Sequence, residues 1–444
     1  MLKNYNFLLI AYDFPPLNSG GSLRPYRFAV FLKKHYSLNP IVITVDHEKY
    51  NNTYVDKSPK ENFSVDLRVI RTKINKHSKI SRLIDSGYFF LPDSILFRWR
   101  SYLKKEILKV IVNDKPKFLL LTVPPFSLLG FIHNLAKKYN IPVVYDFRDP
   151  LSFWVSSPFP SKLHYLYHKA TERKCIKNSY RTIVVTPEMK NIYSKMFPTL
   201  GANIFVVYNS FDSYEKSTIP DLPNSTEKKF SIGYLGSFYY VQKSAGLTKR
   251  RWWKKRAYQY LQYIPFQQDW EYRTPYYFFS AVSMLLKKNP EYKDRVELLF
   301  AGAKPEWFEN MIEQFDLRGN VFHYGFISKK EVKSFQNQCN AFLITSAKIE
   351  KGRDYCIAGK TYEYFAQGKP IVAFVTEGDQ KWIVQNSGLG IICDPDQIED
   401  SALKLKNYLD SKNELTPEKP FIDTFLTHNQ VSKLFEVIKP LLRI

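Results

Sequence analysis

Short apolar runs alternate with amphipathic segments along most of the chain. In the first half, strand-like runs fall at residues 7–11, 40–45, 118–122, 142–145, 182–185 and 204–207. Helical patterns lie between several of these runs, for example at residues 24–35, 101–112 and 127–138. This alternation of strand and helix periods predicts βα units, and therefore a parallel sheet.

A polar stretch at 209–229, rich in Ser, Pro, Asp and Lys, interrupts the alternation, which then restarts. The second set of strand-like runs lies at residues 231–235, 296–301, 321–324, 341–345, 371–375 and 390–393. We therefore predict an α/β chain with an N-terminal domain over 1–212, a linker over 213–228 and a C-terminal domain over 229–425. A final helix in 426–444 is expected to pack back on the first domain.

Charge narrows the choice of partner. Lys and Arg number 65 against 42 Asp and Glu, so the formal net charge is +23. Such an excess predicts an anionic partner: a phosphate-bearing ligand, an acidic membrane surface or nucleic acid. The four widely spaced cysteines favour a reduced, cytoplasmic protein, and the apolar runs are too short to predict a transmembrane helix.

One segment, 240–272, breaks the rhythm of the second half. Basic residues between 249 and 256 surround Trp252 and Trp253, and further aromatic residues follow. Cations attract anionic headgroups and Trp and Tyr favour the membrane interface, so residues 241–271 are candidates for a peripheral contact with an anionic membrane. A packed lid or a protein contact would explain the same composition.

Two loops in the first half carry candidate chemistry. Gly20 and Gly21 precede a helix, where a close backbone approach and a helix N-terminus favour an anionic ligand. Asp146, Arg148 and Asp149 follow a strand, at the sheet edge where open α/β folds bind ligands. Arg148 could hold a phosphate or carboxylate, and the Asp residues could contact sugar hydroxyls or act as a base. A simple loop and an internal Arg–Asp pair are the structural alternatives.

The strongest local signal is the segment 351–370, in which residues 358 and 359 would bring free backbone N–H groups to a helix start. Lys360 and Thr361 follow in the first turn of a predicted helix, which would seat a diphosphate. Glu363, three residues after Lys360, could accept two hydrogen bonds from a ribose diol. The alternative is a surface helix with an ordinary Lys–Glu pair.

Several motifs follow one another in a fixed order. They lie at residues 12–21, 145–150, 208–212, 232–237, 299–302, 320–325 and 359–374. Taken together, they resemble the glycosyltransferase family 4 type, which has a GT-B fold. The resemblance implies two Rossmann-like domains with parallel sheets facing a cleft, a nucleoside-diphosphate sugar held mainly by the C-terminal domain, and an acceptor on the N-terminal domain.

The resemblance also implies roles for individual residues. The expected catalytic groups are Arg273, Lys360 and Asp146, and the expected acceptor-side groups are Arg148 and Asp149. The expected donor-binding residues are Gly20, Gly21, Ser237, Gly325, Phe326, Ile327, Gly359, Thr361 and Glu363. Within that set, residues 325–327 would cradle the base and Glu363 would bind the ribose. The chain departs from the family where Tyr355 replaces an earlier Glu, beside Asp354, and where Asp146 replaces a His.

The predicted function is therefore metal-independent, retaining glycosyl transfer of the hexosyl type, without a cofactor. The donor is a nucleotide sugar and the acceptor a sugar or lipid-linked molecule, in envelope polysaccharide or glycolipid synthesis. The predicted location is the cytoplasm, or the inner face of the cell membrane.

The alternative functions are a sugar-nucleotide epimerase or hydrolase of similar fold, a catalytically silent binding subunit, and a basic nucleic-acid-binding protein. No RNA- or DNA-binding motif is present, so no nucleic acid is expected as a partner.

Overall fold

The chain divides into two compact α/β units. The computed structural model describes residues 5–17, 20–50, 65–153, 158–215, 229–238, 260–411 and 415–442. Within these residues, unit 1 is drawn from Met1–Ser210, Arg256–Phe266 and Thr427–Ile444. Unit 2 is drawn from Phe211–Lys255 and Gln267–Leu426. The central part of the insertion, 239–259, and most of the predicted linker, 216–228, lie outside the described residues.

Unit 1 is built on a parallel sheet. Its strands are β1 (Tyr5–Ile10), β2 (Leu38–Val45), β3 (Arg68–Thr72), β4 (Leu119–Val123), β5 (Val143–Phe147), β6 (Arg181–Val184) and β7 (Ile204–Val206). Its helices are α1 (Leu23–Tyr36), α2 (His47–Tyr50), α3 (Lys79–Asp85), α4 (Ile95–Asp114), α5 (Leu128–Lys138), α6 (Lys162–Asn178) and α7 (Pro187–Met196). The strand order is β3-β2-β1-β4-β5-β6-β7.

Unit 2 repeats this plan. Its strands are β8 (Phe230–Leu235), β9 (Gln268–Asp269), β10 (Val296–Ala301), β11 (Val321–His323), β12 (Ala341–Thr345), β13 (Lys348–Ile349), β14 (Ile371–Phe374) and β15 (Gly390–Cys393). Its helices are α8 (Tyr276–Lys288), α9 (Phe308–Gln314), α10 (Lys329–Gln338), α11 (Gly359–Gln367), α12 (Asp379–Asn386), α13 (Ile398–Ser411) and α14 (Lys419–Asp423). The parallel sheet has the order β11-β10-β8-β12-β14-β15, and β9 pairs antiparallel with β13.

The composition of the central strands explains why they pair in this way. Every residue of β4 and of β14 is buried, as expected for parallel strands that are covered by helices on both faces. In each unit the strand order reverses beside the first strand, between β1 and β4 and between β8 and β12. Open α/β sheets bind ligands at the carboxyl ends of such strands. The prediction of two Rossmann-like domains with parallel sheets is confirmed.

The last helix, α15 (Thr427–Ile438), completes unit 1. Its buried Val431, Leu434 and Ile438 belong to the same apolar core as Phe7 of β1. The Tyr36 ring stacks on the Phe435 ring with 3.9 Å between centroids. Unit 1 therefore draws its core from both ends of the chain.

Residues 260–266 of the insertion belong to unit 1 and residues 267–272 to unit 2, whereas the sequence predicted the whole insertion in the second domain. Tyr263 exchanges two backbone hydrogen bonds with Phe159, with N–O distances of 2.9 and 3.0 Å. Its ring lies 4.9 Å from the ring of Tyr165 on α6. This small β-bridge ties residues 260–266 to unit 1. Among the described residues, no helix combines the length and the apolar character needed to cross a bilayer.

A buried lysine shows how unit 2 satisfies a helix end. Lys369 follows α11, and its ammonium donates to the carbonyl oxygens of Gln336 and Cys339, each at 2.7 Å, and of Asn337 at 3.3 Å. These carbonyls lie at the C-terminal end of α10, where backbone acceptors lack partners within the helix. Lys369 thereby caps one helix while it follows another.

Replacing Lys369 by Met should leave these carbonyls without a donor and lower the free energy of unfolding by about 1–3 kcal/mol. Urea denaturation of the whole chain would measure the loss. Lys333→Met is the control, because that side chain is 66% exposed and makes only a 4.0 Å surface ion pair with Glu215. Equal stability of the two variants would contradict the capping role.

Candidate active site

Three glycine turns lie at the carboxyl edge of the unit 2 sheet. Gly236, Gly302 and Gly325 follow β8, β10 and β11 with φ angles of 135°, 135° and 68°. The N–H of Gly236 donates to Ala301 and that of Gly302 to Gly325, both at 2.8 Å. A Cβ atom on Gly302 would lie 2.2 Å from the carbonyl oxygen of Gly236. Only glycine allows these loops to stack so closely, which leaves backbone rather than side chains at this edge.

Lys360 reaches the same edge from the start of α11. Its Nζ lies 3.5 Å from the centroid of the Tyr234 ring, and a Cβ atom on Gly236 would lie 3.0 Å from it. Burial lowers the pKa of Lys360 to about 7, and the nearby Glu363 carboxylate partly opposes this shift. The face of the Tyr234 ring attracts the charge of the ammonium. An anion placed here would gain a desolvated cation as its partner.

The start of α11 has no side-chain cap. Gln380 on α12 accepts from the Ala358 N–H at 2.8 Å and donates to the Thr361 hydroxyl at 3.1 Å. Thr361 is fully buried, so its side chain anchors the helix and its hydroxyl does not face a ligand. The start of α11 at Gly359 remains available for an anion, since helix N-termini favour negative charge.

Glu363 lies one helical turn after Lys360, and its side chain is exposed. Because its charge acts on the pKa of Lys360, the two side chains share one region of the unit 2 surface. The structure therefore groups Gly236, Ser237, Lys360 and Glu363 around the end of β8. The predicted base loop is also at this edge: Gly325 turns after β11, Ile327 is partly buried and Phe326 is 84% exposed.

Arg273 is partly enclosed at the end of β12. Its backbone carbonyl accepts from the Thr345 hydroxyl at 3.1 Å, which fixes the turn before α8. Burial alone would lower the pKa of Arg273, but Cys356 and Asp354 outweigh it and raise that pKa. The buried Nε atom has no hydrogen-bond partner among the described residues. Arg273 thus has one N–H group, at Nε, without a partner in the described part of the chain, and the carboxylate of Asp354 balances part of its positive charge.

Asp354 does not stand in for the missing earlier Glu. Its carboxylate accepts from the backbone N–H groups of Ala347 and Cys356, both at 3.0 Å, and the side chain is only 2% exposed. Tyr355 is buried as well. Both residues shape the loop before α11.

A second group forms at the carboxyl edge of unit 1. Arg148, after β5, donates to the carbonyl of Pro124 at 2.7 Å and lies 3.6 Å from the carboxylate of Asp13. A Cβ atom on Gly21 would lie 1.7 Å from Nη1 of Arg148. The predicted glycine loop and the predicted Arg are thus in direct contact, and only glycine leaves room for the guanidinium. Gly20 is exposed beside them, and Asp149 is partly buried.

Asp146 has a different environment from the one predicted. Its carboxylate is fully buried and accepts from Arg24 at 2.8 and 3.0 Å, while Arg24 also donates to the carbonyls of Val207 and Tyr208. The pair ties α1 to the ends of β5 and β7. An enclosed carboxylate that is already paired cannot reach an acceptor, which argues against the predicted catalytic role.

Sequence reasoning missed three residues that organise these groups. Tyr234 lies within the recognised motif at 232–237, and its ring could have been expected to face the loop. Gln380 and Arg24 carry no local signal, because their partners lie 19 and 122 positions away. Within the described part of the chain, no group of three or more His, Cys, Asp or Glu side chains is arranged to hold a metal ion.

Comparison with solved structures identifies the class of fold. Sucrose-phosphate synthase from Thermosynechococcus elongatus aligns with a TM-score of 0.57 at 12% identity, over 99% of this chain and 97% of that one. Anabaena HepE in complex with UDP aligns with a TM-score of 0.59 at 11% identity, over 98% and 100%. The N-terminal domain of Candida albicans trehalose-6-phosphate phosphatase aligns with a TM-score of 0.63 at 12% identity, over 99% and 97%. At such identities the likeness shows the fold, which is GT-B.

Part of the sequence of unit 2 matches a known family. Residues 274–419 match the model of the family described as glycosyl transferases group 1. The fold of the chain is GT-B, and the match over residues 274–419 agrees with the predicted resemblance to glycosyltransferases. Assignment to family 4 stays a prediction. Curated protein sequences give no significant match.

Replacing Asp146 by Ala should leave the charge of Arg24 buried without a carboxylate and lower the free energy of unfolding by about 3–5 kcal/mol. Asp400→Ala is the control, because it removes a surface pair with Lys404 and should cost at most about 1 kcal/mol. Chemical denaturation would compare them. A stable Asp146→Ala protein that had lost glycosyl transfer would restore the catalytic assignment.

Proposed function

We propose that the chain transfers a hexosyl group from a nucleoside-diphosphate sugar to a sugar or lipid-linked acceptor, with retention of configuration and without a metal. The observation that supports this most is the position of Lys360. Its desolvated ammonium lies beside glycine turns and an uncapped helix start, at the carboxyl edge of the sheet. That combination suits a diphosphate.

Donor binding would use both charge and backbone. The diphosphate would lie between Lys360 and the start of α11 at Gly359, near Gly236 and Ser237. Glu363 would accept hydrogen bonds from the ribose hydroxyls, and residues 325–327 would border the base. Anabaena HepE is described in complex with UDP and with UDP-glucose, so uridine is the first base to test.

During transfer the bond between the anomeric carbon and the β-phosphate oxygen breaks, and the acceptor oxygen forms the new bond. The proton of the acceptor hydroxyl passes to the leaving diphosphate. Negative charge grows on the leaving diphosphate. The Lys360 ammonium would stabilise that charge, and the positive charge of Arg273 would add to it from within unit 2. In unit 1, Gly20, Gly21, Arg148 and Asp149 would hold the acceptor. Asp146 would support this loop through Arg24.

The predicted role in envelope polysaccharide or glycolipid synthesis stays a proposal, as does the location at the inner face of the cell membrane. The net charge of +23 supports contact with anionic material. The predicted contact through 241–271 falls mainly on 239–259, which are outside the described residues. An epimerase or hydrolase would differ in a measurable way, because it would consume donor with no acceptor present.

Glu363→Ala should weaken nucleotide binding by about 1.5–3 kcal/mol, or roughly tenfold to 150-fold, because it removes charge-assisted hydrogen bonds to the ribose. A thermal-shift series with UDP, GDP, ADP, TDP and CMP would first select the nucleotide, since a ligand that binds the folded state raises its stability. Calorimetry would then give the affinities.

The matched control is Glu399→Ala, which removes a carboxylate that is 80% exposed and makes only a 3.8 Å surface ion pair with Lys288. It should bind the nucleotide like the wild type. Wild-type affinity in Glu363→Ala would remove the ribose assignment, and failure of all five nucleotides to bind would overturn the proposed function.

Donor binding should weaken as the pH rises above 7. In the free protein the pKa of Lys360 is about 7, so the ammonium is lost above that pH. A bound diphosphate favours the charged form, so binding takes up a proton and affinity falls by up to about tenfold per pH unit. UDP-glucose is a suitable probe because its diphosphate does not titrate there.

Calorimetry of UDP-glucose binding between pH 7 and pH 9, in buffers of different ionisation enthalpy, would measure both the affinity and the proton uptake. Lys360→Arg should flatten this dependence, because a guanidinium stays charged throughout. The same pH slope in both proteins would assign the titration to another group.

A further inference from the structure

Unit 1 exposes large apolar side chains at the turn after α3. Tyr88 is 70% exposed, and the neighbouring Phe89 and Phe90 are also exposed. The Phe90 ring stacks on His164 of α6 with 4.3 Å between centroids and lies 5.4 Å from the Tyr167 ring. The turn is therefore packed against α6 and presents its remaining aromatic surface to solvent.

The first turns of α6 continue this surface. Leu163 is 67% exposed, and Leu166 and Tyr167 are exposed as well. Their spacing of three and four residues places them on one side of the helix. We call the combined surface the aromatic face, and its members are Tyr88, Phe89, Phe90, Leu163, Leu166 and Tyr167. Single exposed apolar residues are ordinary, but a contiguous group of this size marks an interaction surface.

A groove of about 430 Å³ adjoins the aromatic face between α4, α5 and α6, and Phe90 and Tyr167 line both. Three cations line it as well, Arg100, Lys104 and Lys138, and no carboxylate is among the described lining residues. Two carboxylates near the groove already accept hydrogen bonds from neighbouring serines. Asp85 accepts from the N–H and hydroxyl of Ser94, and Asp93 accepts from the N–H and hydroxyl of Ser127.

Residues 260–266 of the insertion also pack against α6, on the side that carries Tyr165. Tyr263 bridges to Phe159 and packs on Tyr165 of α6, while Tyr260 and Leu261 are exposed beside it. Apolar side chains from three separate parts of the chain thus meet around the N-terminal half of α6. Contacts within unit 1 hold these three segments in place, while several of their apolar side chains remain exposed to solvent.

We propose that the aromatic face docks on the surface of an anionic lipid bilayer. The aromatic and leucine side chains enter the headgroup region, where Tyr and Phe gain from partial burial. Arg100, Lys104 and Lys138 lie beside them and contact lipid phosphates. A groove with three cations and no acid complements such a surface. This docking site is distinct from the predicted contact through 241–271 and does not depend on the donor site in unit 2.

Co-sedimentation of the full chain with vesicles tests the proposal. The wild type should bind phosphatidylcholine vesicles that contain phosphatidylglycerol, and bind pure phosphatidylcholine vesicles much more weakly. Tyr88→Ser/Phe89→Ser should lower the partition coefficient at least about tenfold, because two interfacial aromatics are lost. Neutralising Arg100, Lys104 and Lys138 with Gln should lower it roughly fivefold per charge.

The matched control is Val112→Ser/Leu403→Ser, which removes exposed apolar side chains elsewhere and should bind vesicles like the wild type. Thermal shifts with nucleotides should be equal in all variants, so a failure of docking is separable from a failure of the proposed function. Lack of wild-type binding to anionic vesicles would overturn the proposal. Unchanged binding in both surface variants, or dimer formation that the aromatic-face substitutions abolish, would also overturn it.

Discussion

The direction of parallel strands is the constraint on which both candidate sites depend. All strands of such a sheet end on one edge, and where the strand order reverses, the connecting segments leave in opposite directions. In unit 2 the position between β8 and β12 is of this kind, and in unit 1 it is the position between β1 and β4. Polar groups at these positions come from turns and helix starts, since the strands themselves are apolar.

Two lysines of one short motif show how strongly position decides the role. Lys360 follows Gly359 at the start of α11, and its ammonium rests on the Tyr234 ring. Lys369 follows Gly368 after the same helix, and its ammonium is occupied by three carbonyl groups. Burial lowers the pKa of both, but only the first is placed to meet an incoming anion. The motif alone does not distinguish them.

Much of the fold could be predicted from local pattern. The apolar runs at 118–122 and 341–345 correspond to β4 and β12, and they were recognised because nearly every position in them is apolar. β3 was missed because Arg68 and Arg71 interrupt an edge strand that is only partly buried. α6 was missed because its inner side includes the polar His168 and Glu172. For both β3 and α6, contacts with other parts of the chain determine the secondary structure, and the local sequence pattern does not show it.

The grouping of Gly359, Lys360 and Glu363 at one helix start was predictable because the three residues lie within one local motif. Roles that long-range pairing sets were not predictable. Asp146 was expected at an accessible strand end, yet Arg24 encloses it from 122 positions away. Thr361 was expected beside the diphosphate, yet Gln380 turns its hydroxyl inward.

The return of α15 to unit 1 has a consequence for biosynthesis. Unit 2 is drawn from segments before Thr427, so the ribosome completes that sequence before it supplies Val431, Leu434 and Ile438 to the first core. Until then the apolar residues of unit 1 that α15 covers remain exposed in the nascent chain, while unit 2 can already fold. Maturation of the amino-terminal half is thereby tied to translation of residues 427–442, although its sheet is synthesised first.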